Sequence, residues 1–308
     1  MALSRSPFLQ SRTEGGIGPL VLADGRFAPG NVFFVQSTHT NKGDTAGRGQ
    51  TPEMPFATID YAVGQCTADQ GDLILVLPGH VETVSAAAGL ALDVAGIKIL
   101  GLGSGSKQPK IDFTTAAGAD MDVDAADITM ENFQFEASFA DLTAVVDVNA
   151  KDFTLRRCRF LEPTVDENFL ICILGATSTT SDGLLVEDCE FRTVDAANTH
   201  GISLTSGTPD HVIIRRNLFL GVFETGAILG SGAATQLAVY DNFINNTSAD
   251  ADECISLAGT GVVCRNVVGN NLAAAATTNI TCGTTMTMAE NYSTDKGDVQ
   301  GVLDPIAT

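Results

Sequence analysis

The sequence predicts an all-β solenoid: a single-stranded parallel β-helix with a capping helix and an extended arm at its N-terminal end. Three observations carry this. A short pattern of alternating apolar residues closing on a corner recurs as IKILGL (97–102), ITMENF (128–133), FTLRRC (153–158), LLVEDC (184–189), VIIRRN (212–217), LAVYDN (237–242), GVVCRN (261–266) and MTMAEN (286–291). The corners follow one another at 24 to 31 residues, and self-similarity at such a period marks a stack of repeats. The repeated unit has the two-residue period of a strand, and no helix-length periodic segment separates successive units, so each coil is built of strands and turns.

The corners read Leu102, Phe133, Cys158, Cys189, Asn217, Asn242, Asn266 and Asn291. Asn tolerates a left-handed backbone better than most residues, which suits a sharp corner. Coils stack about 4.8 Å apart, so successive Asn amides can bond along the stack as a ladder. The residue before each corner points outward and alternates in sign: Arg157, Asp188, Arg216, Asp241, Arg265, Glu290. Arg156, Glu187 and Arg215 repeat the alternation one place earlier. Opposite charges on neighbouring strands stabilise a sheet, and a one-residue slip would scramble the order. These arginines are therefore expected to be structural.

A second strand precedes each corner strand. Its inward pairs are expected to be Leu92/Val94, Met121/Val123, Val146/Val148, Ile171/Ile173, Ile202/Leu204, Ile255/Leu257 and Ile280/Cys282, with Ile228 between them. Segments such as TSTTSD (177–182) and SGTPD (206–210) read as loops on one flank.

At the N-terminal end, residues 1–30 stand outside the repeat and read as an extended docking arm. Arg5, Phe8, Leu9 and Arg12 are its expected contact residues, because they set basic and apolar groups in an otherwise acidic chain. Residues 31–70 carry a lead-in strand (NVFFVQS, 31–37), a polar Gly-rich loop and a helix over 51–66. In that helix Phe56, Ile59, Val63 and Cys66 share a face, and it is expected to cover the open end of the stack. The β-helix proper is expected over 71–294, followed by a short tail at 295–308.

The net charge is −20, which disfavours nucleic acid and anionic membrane surfaces as partners. Seven cysteines, none in CxxC spacing, are expected as buried reduced thiols, in keeping with folding in a reducing cytoplasm. No secretory signal is read at the N-terminus, and no apolar run is long enough to span a bilayer.

The stretch PFATIDYAV…GDLILVLPGHVETV and the asparagine corners resemble pectate-lyase-like right-handed parallel β-helices over about residues 51–294. That scaffold hosts lyases, hydrolases, esterases and non-enzymes. GDTAGRGQTPEMPFATIDYAV, PGHVETV, DVAGIKILGLGSG and GADMDVDAADITMENF are similar to β-helix proteins of tailed bacteriophages and prophages, and this resemblance implies a structural protein of a virion.

Catalytic motifs are sparse. NTHGISL (198–204) echoes the histidine segment of polygalacturonase-like enzymes, but without an adjacent Asp-Asp or an Arg-Ile-Lys, so His200 is expected at a turn. His80 and His211 lie beside turns without metal-ligand spacing. Asp93, Asp122 and Asp147 are expected at one outward position on three coils, a carboxylate column and a weak candidate for calcium. There is no Trp, and Tyr61, Tyr240 and Tyr292 form no sugar-stacking face. Neither a catalytic residue nor a cofactor is otherwise expected. The leading reading is a non-enzymatic virion protein, a capsid decoration or cement protein docking through its arm on the major capsid protein or another virion protein, and forming a homo-oligomer, with a trimer expected. The alternatives are a tailspike or tail-fibre component that binds host glycan, and a polysaccharide lyase or hydrolase.

Overall fold

The computed structural model describes residues 20–21, 27–28, 30–175, 181–204, 207–230, 234–248, 253–270, 279–294 and 301–303. Within these, three sheets of ten, ten and eight strands run the length of a solenoid. The first holds the corner strands, from Val32–Val35 and Leu73–Val76 to Met286–Ala289. The second follows each corner, from Val81–Val84 to Asn291–Ser293, and the third runs from Leu90–Leu92 to Ile280–Cys282. Each strand pairs in parallel with its counterpart one coil away, which is the parallel β-helix expected. At the far end Gly301–Leu303 turns back and pairs antiparallel with Asn291–Ser293.

The ladder is built as the corners imply. Asn217, Asn242 and Asn266 each donate both backbone N–H and side-chain Nδ2–H to the Oδ1 of the next ladder Asn, at 2.9–3.1 Å. The second Nδ2 hydrogen goes to a strand carbonyl of the coil before, as from Asn242 to Ile214 at 3.0 Å. Cys189 N–H closes the top of the ladder on Asn217 Oδ1, at 2.9 Å. The left-handed backbone, however, falls one residue earlier than the corner. Arg157, Asp188, Arg216, Asp241, Arg265 and Glu290 have φ of 52–57°. The turn is made there, so that the Asn itself can swing its amide inward.

Behind the corner, two residues on, an aromatic stack fills the second sheet. Phe135, Phe160, Phe191 and Phe219 lie ring on ring at 4.6, 4.7 and 4.4 Å, within 8° of parallel. Ile244 and Val268 continue the column in register. In the third sheet several coils carry a bulge. Two successive N–H groups, Ala227 with Ile228 or Thr199 with His200, converge on one carbonyl. This turns Cys172, Ala227 and Cys254 into the core alongside their neighbours. All the cysteines are free thiols, and Cys158, Cys172, Cys189 and Cys254 are buried.

Three expectations are corrected. The helix, α1, spans Ile59–Val63 only, because Thr58 caps it and Phe56 is held by a bridge to Val35 instead. It does cover the end of the stack, with Ile59, Ala62 and Val63 buried. The inward pair of the first third-sheet strand is Leu90/Leu92, in register with Met121/Val123, in place of Leu92/Val94. The bulge likewise sets Ile173/Gly175, in place of Ile171/Ile173, against Val146/Val148.

Asn242→Leu should lower the unfolding free energy by about 1–3 kcal/mol, since it strands the Asn217 donors and the Ile214 carbonyl. Urea unfolding checks this, and an unchanged midpoint would contradict the ladder's role.

Candidate functional site

Three groupings of ionisable residues bear on function. On the outer faces of the first and second sheets, the arginines are engaged with carboxylates. Glu187 lies 2.7, 2.6 and 2.7 Å from Arg156, Arg215 and Arg216. Burial alone would raise its pKa, but the hydrogen bonds from Arg215 and Arg216 outweigh that and hold the carboxyl below its usual range. Arg216 also meets Asp188 at 2.8 Å, Arg265 meets Asp241 at 2.7 Å, and Arg159 meets Glu190 at 2.7 Å. Arg192 joins Glu190, and Arg157 reaches Glu131 at 2.9 Å. Tyr240 sits between Arg215 and Arg265, which approach its ring to 6.0 and 5.6 Å.

Beneath the cap lies a buried latch. His80 Nδ1 accepts from Ser37 N–H at 2.9 Å, so its Nε2–H donates to Glu82 at 2.8 Å. Glu82 also accepts the N–H of Ile59, the first residue of α1, at 2.9 Å. His80 and Glu82 are buried, and Glu82 stands in register with the inward Ile111. The structure turns Val81 outward, because the open end needs an acceptor for the helix and the imidazole. Sequence reasoning missed this pair.

The third place is an acidic group on the third sheet. Asp122 and Asp147 pair in register on neighbouring strands, and Asp120 and Asp124 flank Asp122 on the same face. Partial burial, together with the Asp120, Asp124 and Asp147 charges, pushes Asp122 up to about 6. Burial, then Asp120 and Asp124, raises Asp147 as well. Asp147 Oδ1 is buried without a hydrogen-bond partner. Asp93 does not join the column: its place is taken by Ala91, because Leu92 pairs with Val123 and carries Asp93 one step further along the strand. Among the described residues, no three His, Cys, Asp or Glu form a group that could hold a metal ion. The strands of this sheet carry neither Arg nor Lys.

His200 is not brought to this group. It opens strand His200–Ser203, three residues before the Ser203 that stands level with Asp147 two coils away. It is a strand residue, in contrast to the turn expected, and burial lowers its basicity. His211 is exposed and pairs with Asp210 at 2.8 Å. The arm residues Arg5, Phe8, Leu9 and Arg12 lie outside the described residues.

No protein-family model matches the chain, and no curated protein sequence does. Among solved structures, a rhamnogalacturonan lyase aligns at a TM-score of 0.47 and 11% identity, over 89% of this chain and 90% of that one. Pectate lyase Pel9A aligns at 0.38 and 13% identity, over 85% and 79%. The parallel β-helix itself stands on this chain's own sheets and register.

The acidic group has a stability consequence of definite sign. Folding raises the Asp122 carboxyl, so the folded chain holds that proton more tightly than the unfolded one between about pH 4 and pH 6. Its contribution therefore worsens as pH rises through that window. Asp122→Asn should raise the melting temperature near neutral pH and leave it unchanged below about pH 4, where Asp is already neutral. Equal shifts at both pH values would show that charge is not the cause.

Proposed function

We propose that this chain is a non-enzymatic structural protein of a tailed-phage virion, a capsid decoration protein docking on the shell through residues 1–30. The observation that carries the non-enzymatic reading is the use of the solenoid's arginines. Arg156, Arg157, Arg159, Arg192, Arg215, Arg216 and Arg265 are all bound to carboxylates. A β-eliminating lyase that relies on an arginine base needs one free beside its acidic groups, and here the acidic face lacks any cation on its strands. The virion reading draws support from the phage-like wording of residues 43–63 and 78–84. A rigid acidic rod also suits a particle surface, where like charge keeps neighbouring particles apart.

One observation favours a second reading, polysaccharide hydrolysis. Asp122, pushed up to about 6, keeps its proton in mildly acidic solution beside Asp147, and a protonated carboxyl next to a second carboxylate is the pairing that cleaves glycosidic bonds.

Immunogold labelling of phage particles, with antibody to this chain, separates the readings. Dense label over the head, lost when residues 1–30 are deleted, is the expected result. Label at the tail tip only, or none, would overturn the decoration reading. Reducing-sugar release from host polysaccharide that disappears in Asp122→Asn and Asp147→Asn would establish the hydrolase instead.

A further inference from the structure

The outer face of the second sheet changes character half-way along the solenoid. One register column runs Lys110, Gln134, Arg159, Glu190, then Leu218, Phe243, Val267, Tyr292. The neighbouring outward column is Leu220, Asn245 and Gly269 over the same strands. No outward position of strands Leu218–Gly221, Phe243–Asn246, Val267–Asn270 and Asn291–Ser293 carries a charge. Phe243 and Tyr292 are 44% and 46% exposed, large values for aromatic side chains on a chain this acidic. Exposed apolar stripes of this kind mark contact surfaces. Along the edge of the face runs the left-handed corner row Arg216, Asp241, Arg265, Glu290, one residue removed from the ladder and two from the apolar column.

We infer that this face is where a second copy of the chain docks, antiparallel and about a two-fold axis. The argument is self-complementarity. Reversing the row Arg216, Asp241, Arg265, Glu290 sets Arg216 against the second copy's Glu290 and Asp241 against its Arg265. Every meeting is between opposite charges. The same operation sets Phe243 against Val267 and Leu218 against Tyr292, so each aromatic ring meets an aliphatic side chain. A parallel in-register approach would place like charge on like at every step. Two molecules of charge −20 repel generally, and a neutral stripe with a balanced rim is where they can meet. An apolar centre with a polar rim is the usual anatomy of such contacts. A two-fold contact uses one patch twice, whereas a three-fold ring needs two different patches. The face thus assigns a pair in place of the trimer. The inference rests on register and charge alone, so it holds for a shell protein and for a hydrolase.

Sedimentation analysis of the full chain tests it. The wild-type chain should run as two copies of 32.0 kDa. Phe243→Glu combined with Tyr292→Glu should give a single chain, whereas Thr287→Glu, exposed on the first sheet, should leave the pair intact. Asp241→Arg alone should also dissociate it, by opposing Arg265. Adding Arg265→Asp should restore it, since the reversed row is again complementary and the Asp241–Arg265 contact within the chain is kept. Thermal melts identify any variant that fails to fold, and the doubly reversed variant then decides the matter. A wild-type single chain, a three-chain species, or a pair indifferent to Phe243→Glu/Tyr292→Glu would overturn the inference. So would a single chain whose binding to an extended polysaccharide is lost with those two rings, which would make the stripe a sugar platform.

Discussion

Every strand of the solenoid is hydrogen-bonded to its own counterpart about 4.8 Å away in the next coil, and the rest of the structure follows from that constraint. Whatever stands at a position must tolerate a similar residue directly above and below it. Aliphatic side chains do so freely. Phenyl rings do so by stacking, as from Phe135 to Phe219. Asparagine does so because one amide both donates and accepts, and the buried corner from Asn217 to Asn291 uses both capacities. A charge does so only by alternating in sign or by giving up its ionisation. The row from Asp188 to Glu290 takes the first course, and Asp122 beside Asp147 takes the second, with its proton held up to about 6.

The same constraint explains what was legible in the sequence. The corner Asn residues and the alternating charges repeat with the coil, so the first sheet's register could be read directly. The third sheet was harder. Its bulge lets two consecutive residues such as Cys172 and Ile173 both face the core, and a strict two-residue alternation then assigns the wrong pair. The first coil differs for another reason: Leu90, Leu92 and Val94 share one parity, so alternation alone does not choose between the pairs, and Ala91 stands where Asp93 is expected. The phenylalanine stack is legible as a Phe two residues after four successive corners, from Phe133 to Asn217. Glu82 was not legible. Only the junction of α1, Ser37 and His80 calls for a buried acceptor there, and that junction exists only in three dimensions. The left-handed residue was assigned to the corner because Asn tolerates it. The structure puts the strain, about 1–2 kcal/mol per residue, on the charged residue before it, where ladder bonds offset the cost.

The faces divide the work. The first sheet and its corner lock charge against charge. The third sheet gathers carboxylates without a cation on its strands. The second sheet loses its charge altogether toward the C-terminal end. The solenoid thus presents a charge-paired face, an acidic face and a face that is apolar over part of its length.

The most direct test of the account is native-state hydrogen exchange at the corner. The backbone amides of Asn217, Asn242 and Asn266 each donate to the next ladder side chain. They should exchange only with global unfolding, as slowly as the amides of the core strands. Exchange at the rate of the surface loops would mean that the ladder does not hold the coils in register, and the account built on it would fail.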